Sequence, residues 1–101
     1  MGAIVGTKVL GTELAGTYKI LQVTCVPASA SDDVTLTLAT HGITVIGAIL
    51  GCEIQAGQTA NFQTAYATYS GLVITVKSLN AAGGNATDWT NAVVRLTVLG
   101  Y

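Results

Sequence analysis

Few residues in this 101-residue chain could do acid–base, metal or nucleophilic chemistry: the adjacent pair Asp32-Asp33, the scattered carboxylates Glu13, Glu53 and Asp88, one histidine, His41, and two cysteines, Cys25 and Cys52. Paired carboxylates can share a proton or a substrate. Neighbouring strand residues, however, point to opposite faces, so Asp32-Asp33 reads as a solvated turn. Calcium needs six or more oxygens, and Glu53 and Asp88 are too distant in sequence to be assumed nearby. A catalytic histidine needs a nucleophile and an orienting carboxylate. Thr40-His41-Gly42 specifies neither, so His41 is expected to be exposed or to cap a turn. One histidine and two isolated cysteines do not make a zinc site; small buried thiols are expected, ahead of a disulfide or a reactive cysteine. Gly83-Gly84 lacks the Gly-Lys-Ser/Thr ending of a phosphate-binding loop, and Asn85-Ala86-Thr87 fits a glycosylation acceptor only formally. The expectation is no catalytic residue, no metal and no cofactor: not an enzyme.

The aromatic residues Tyr66, Tyr69 and Trp89 admit three roles. They can plug the ends of a core, anchor a protein interface, or stack on sugars as a glycan platform. With the apolar N-terminal pair Ile4 and Val5 and the terminal Tyr101, they form the set of candidate interface residues.

Composition narrows the classes further. Half of the residues are hydrophobic, but only 9% are charged, against about 25% in an ordinary soluble domain. Such a chain is not disordered, because disordered segments are rich in charge and poor in apolar residues. The formal net charge is -1 with scattered signs. Nucleic acid and anionic membrane surfaces both want clustered Lys and Arg, so neither is an expected partner. Residues 1–101 suffice for one domain, with 1–16, loosened by Gly2, Gly6, Gly11 and Gly16, as a possible N-terminal arm. Nothing in MGAIVGTKVLGTELAGT resembles a signal peptide, which points to synthesis in a reducing cytoplasm.

The elements that position these residues are strands. Val34, Leu36 and Leu38 alternate with Thr35 and Thr37; Leu72, Ile74 and Val76 alternate with Thr75 and Lys77; Val94, Leu96 and Val98 alternate with Arg95 and Thr97. Branching at Cβ favours a pleated sheet over a helix. In TYKILQVTCV (Thr17 to Val26), Tyr18 and Ile20 share one face while Leu21, Val23 and Cys25 share the other, which predicts a strand covered on both sides. Ile43 to Glu53, apolar on both parities, is expected to be the central, doubly buried strand, with a bulge, bend or close approach at Gly47 and Gly51. The uncharged run Val34 to Cys52 approaches the length of a membrane span. It divides at Thr40-His41-Gly42, and strand, turn, strand explains it better. Phe62 to Thr68 is a weaker strand, and Ala3 to Leu10 a seventh. The fold class is all-β: a single antiparallel β-sandwich or small barrel of about seven strands.

A folded exterior this poor in charge suits permanent burial by other subunits, since Thr, Ala, Gly, Ser, Asn and Gln cost little to desolvate when hydrogen-bonded across a contact. A homo-oligomer or larger shell is the expectation. The texture of the chain, with YKILQVT (Tyr18 to Thr24), THGITVIGAILGCE (Thr40 to Glu53) and VVRLTVLGY (Val93 to Tyr101), resembles the small all-β head decoration, or cement, proteins of tailed bacteriophages. That resemblance implies a non-enzymatic structural protein of the virion, made in the host cytoplasm. Such a protein binds the major capsid protein on the capsid surface, often as a trimer, and stabilises the shell. The competing expectation is a glycan- or receptor-binding β-sandwich module of a phage tail or fibre, built on Trp89 and the tyrosines.

Overall fold

The computed structural model describes residues 2–13 and 18–101 and is an all-β sandwich. The described residues form eight strands: β1 (Gly2–Ile4), β2 (Thr7–Glu13), β3 (Lys19–Cys25), β4 (Ser31–Thr35), β5 (Ile46–Ala56), β6 (Thr64–Ser70), β7 (Val73–Leu79) and β8 (Val93–Gly100). One helical turn, α1 (Leu38–His41), lies between β4 and β5. The strands form two four-stranded sheets, β1-β4-β7-β6 and β2-β3-β8-β5. All neighbours are antiparallel except β1, which runs parallel to β4.

The alternating patterns place the core where expected. Leu21, Val23 and Cys25 of β3 and Val94, Leu96 and Val98 of β8 face Val34 of β4 and Ile74 and Val76 of β7, all buried. Each such side chain contributes on the order of 1.5–3 kcal/mol by leaving water. Phe62, Ala86 and Ala92, on the connections, are buried in the same cluster, and Trp89 packs against it.

The N-terminal segment makes two strands where the pattern suggested one. β1 pairs with β4, the chain crosses between sheets at Val5-Gly6, and β2 pairs with β3. Glycine is required at the crossing. A Cβ on Gly6 would overlap Val34 Cγ1 and lie 2.8 Å from Val23 Cγ1, one valine from each sheet. Of the segment 1–16, residues 1 and 14–16 lie outside the described residues.

Three expectations are corrected here. Ile43 to Glu53 is not central: β5 is an edge strand, and β8, between β3 and β5, holds the middle. Its two apolar parities reflect register shifts at Ile46/Ala48, Ile49/Gly51 and Ile54/Ala56, which let residues of both parities turn inward. Asp32-Asp33 lies within β4 and is not a solvated turn. Leu38 leaves the strand pattern and is exposed on α1, because Thr37 caps a helical turn that ends at Gly42 in the left-handed region.

Candidate interaction surfaces

Among the described residues, the titratable groups singled out above form no cluster of three that could hold a metal ion, although Cys25 lies near Cys52 and Asp32. The strand separates the two aspartates. Asp32 points inward, fully buried, and its carboxylate accepts from the backbone N–H of Ala28 and Ser29 at 3.0 Å and from the Ser29 hydroxyl at 2.6 Å. Asp33 turns outward and accepts from the Thr75 hydroxyl at 2.8 Å. Asp32 therefore ties the 27–30 connection to the sheet, with its acceptor capacity committed.

His41 is buried and not exposed; of the two roles expected for it, the structure has the capping one, at the end of the α1 turn. Its Nδ1 accepts from the Thr37 N–H at 2.9 Å, which places the proton on Nε2, and Nε2–H donates to the Gly6 carbonyl at 2.6 Å. The imidazole thus joins α1 to the crossing of the N-terminal segment. Lys19 Nζ donates to the Gly42 carbonyl at 3.1 Å, at the C-terminus of the same turn. This is structural use of a histidine, and both ring nitrogens are occupied.

Cys25 and Cys52 are both free. They sit on β3 and β5, on either side of β8. Two inter-strand spacings, about 9–10 Å, exceed the Cα separation a disulfide spans. Burial pushes the Cys25 thiol up to about 12, helped by the nearby Cys52 and Asp32, and burial pushes Cys52 up to about 11, helped by Glu53. Neither thiol is a ready nucleophile at neutral pH. Among the described residues, no group of three His, Cys, Asp or Glu could hold a metal ion. No helix there is long and apolar enough to cross a membrane.

The candidate interface residues fall in separate places. Val5 is 80% exposed, while Ile4 is half-buried against the core; both line an apolar groove of about 490 Å³ with Ala3, Cys25, Val26 and Val93. Tyr66 and Tyr69 are exposed on β6. The Tyr69 hydroxyl donates to the Gly47 carbonyl at 2.9 Å, linking the adjacent edges of the two sheets. Tyr66 borders a polar groove of about 340 Å³ with Ser29, Ser31, Lys77, Ser78 and Asn85. The Trp89 indole packs against the core, with its Nε1–H buried and without a partner among the described residues. Tyr101 meets Tyr18 edge-to-face at 5.3 Å.

The two outer sheet faces differ in chemistry. On the β4-β7-β6 side the register aligns Asp33, Thr75 and Thr68 in one row and Ser31, Lys77 and Tyr66 in the next, a hydroxyl-rich surface. On the β3-β8-β5 side the rows are more apolar. Ile20, Leu99 and Ala48 form one; Gln22, Thr97 and Gly51 the next; Thr24, Arg95 and Glu53 the third. Arg95 Nη2 and Glu53 Oε1 are 3.2 Å apart. The same parities continue to Tyr18 and Tyr101 at one end and to Val26 and Val93 at the other. Tyr18, Val26 and Tyr101 are 46%, 57% and 44% exposed.

Sequence reading missed this second face as a unit, although the signal was present in TYKILQVTCV, where apolar residues occupy both parities. The inner parity is buried by the opposite sheet, whereas Ile20, Gln22 and Thr24 of the outer one are half-buried, short of the covering on both sides that the sequence predicts. Comparison with known proteins found no matching family model, no matching curated protein and no matching solved structure.

Proposed function

We propose that this chain is a non-enzymatic structural protein that binds and stabilises a phage capsid shell, a decoration or cement protein that works covered by other subunits. The supporting observation is the β3-β8-β5 outer face. It carries one mutually neutralising ion pair among apolar and small neutral side chains, with tyrosines and a valine exposed at its ends. A surface of this kind loses little on desolvation and gains by apolar burial. The partners on this reading are further copies of the chain, with the trimer the resemblance implies, and the major capsid protein.

The test is location. Virus particles are purified from the source of the chain and probed with antibody. Association of the chain with DNA-filled heads, and leakage of DNA from heads made without it, support the reading. Its absence from purified particles defeats it.

A second reading, a glycan- or receptor-binding module of a tail or fibre, is favoured by one feature: exposed Tyr66 beside a groove lined by Ser, Asn and Lys. Trp89, packed against the core, contributes less to that reading than its sequence position suggested. Glycan-array binding lost in Tyr66→Ala would support it.

A further inference from the structure

We infer that two copies of this chain pack face to face through the outer surface of β3-β8-β5, about a two-fold axis parallel to the strands between β8 and β5. This deepens the structural-subunit reading and rests on it, with pairs in place of the trimer that the resemblance implies. The argument comes from the row partners across those two strands. The rows set Leu99 by Ala48, Thr97 by Gly51, Arg95 by Glu53 and Val93 by Ala56, and the bulge before Gly51 adds the exposed Leu50 on β5. A two-fold axis between the strands exchanges the members of every row. Leu99 of one copy then meets Ala48 of the other, Thr97 meets Gly51, and Arg95 meets Glu53. The face is thus complementary to itself in charge, with Leu50 of each copy brought over Thr97 of the other as an apolar contact, the self-matching that an isologous contact requires.

Charge decides the occupant. The face bears one cation and one anion side by side, so a partner with a net-charged patch would leave one of them opposed. A second copy satisfies both, converting one ion pair into a ring of four alternating charges. Four rows on β8 and β5, three of which reach β3, cover roughly 14 × 25 Å at ordinary strand spacings; two such faces, with the exposed Tyr18, Val26 and Leu50 around them, bring the contact toward the roughly 1,000 Å² expected of a specific interface. Aligned packing of twisted sheets is a standard arrangement. The axis gives pairs, so a three-fold assembly would use a different surface.

The experiment uses the full chain with Arg95→Glu and Glu53→Arg. Both side chains are solvent-facing, and folding of each variant is checked by circular dichroism. In sedimentation velocity the native chain is expected to form a species of about 20 kDa, twice its 10.2 kDa. Each variant alone, now facing itself with like charges, should dimerise at least ~100-fold more weakly. An equimolar mixture of the two should restore the dimer, since each supplies the charge the other lacks. Thr97→Arg, filling the central row, should abolish pairing outright and serves if a charge variant fails to fold. The inference is overturned by a native monomer or trimer, by variants that pair as well as the native chain, or by a mixture that does not recover. A native monomer or trimer that is nonetheless found on virus heads removes this contact and leaves the shell-binding reading standing; a chain that pairs through this face but is absent from particles does the reverse.

Discussion

Gly6→Ala is the sharpest test of how the N-terminal segment is held. The added Cβ overlaps Val34 Cγ1 and comes within 2.8 Å of Val23 Cγ1. Both valines are fully buried, and their branched side chains have little rotamer freedom with which to yield. Overpacking of this kind costs about 1–3 kcal/mol. Displacing the Gly6 carbonyl weakens its bond from His41 Nε2, which adds about 1 kcal/mol. The expected loss is therefore about 2–4 kcal/mol, a large share of the roughly 5–15 kcal/mol that stabilises a domain. For a chain of this size it lowers Tm by roughly 10–25 °C. Urea unfolding followed by the fluorescence of Trp89 measures it. Val34→Ala should itself cost about 2 kcal/mol through the lost contacts, but in the double variant the new methyl enters the space left by Val34, giving a favourable coupling of about 1–3 kcal/mol. A loss below about 0.5 kcal/mol for Gly6→Ala, or strict additivity in the double variant, would refute the packing described.

Three further outcomes are expected. Asp32→Ala should destabilise by about 3–5 kcal/mol, because it strands two backbone N–H groups and the Ser29 hydroxyl, whereas Asp33→Ala should cost less than about 1 kcal/mol; equal effects in denaturant titrations would contradict the inward and outward assignment. His41→Phe should cost about 2–3 kcal/mol by leaving the Thr37 N–H and the Gly6 carbonyl unpaired, and imidazole ¹⁵N shifts of the native chain should show the Nε2–H tautomer; an Nδ1–H tautomer would contradict the hydrogen-bond pattern. The folded chain holds both thiol protons beyond the ordinary pH range, to about 12 for Cys25 and about 11 for Cys52. Above about pH 8.5 the unfolded chain therefore binds fewer protons than the folded one, and stability is flat below that pH and falls above it. Alkylation of the native thiols at pH 8 should be at least ~100-fold slower than in denaturant, and Cys25→Val with Cys52→Ala should flatten the alkaline slope; fast native labelling would contradict it.

The sandwich and most of its inward residues could be read from period-two alternation, because one buried face leaves a direct imprint in the strands that became β7 and β8. Strand position could not be read so easily. β5 looks central in sequence because its register shifts bring residues of both parities inward, imitating a strand buried on both sides. The burial of His41 and Asp32 could not be read because it depends on partners distant in the chain or contributed by backbone: Gly6, thirty-five residues away, and the N–H groups of residues 28 and 29. Single-residue chemistry carries no trace of such contacts. The apolar outer parity of β3 did leave its mark in the sequence, but the placing of Arg95 beside Glu53 and of Leu50 in a bulge beside Gly51 emerges only once the register shifts fix which residues share a row.

The account rests on an exterior shaped for contact with protein. Sedimentation equilibrium of the intact chain from roughly micromolar to millimolar concentration probes it most directly, since a specific contact of this size should be populated in that range. A mass rising to a discrete multiple of 10.2 kDa is predicted. A constant mass of one chain at every concentration would contradict it.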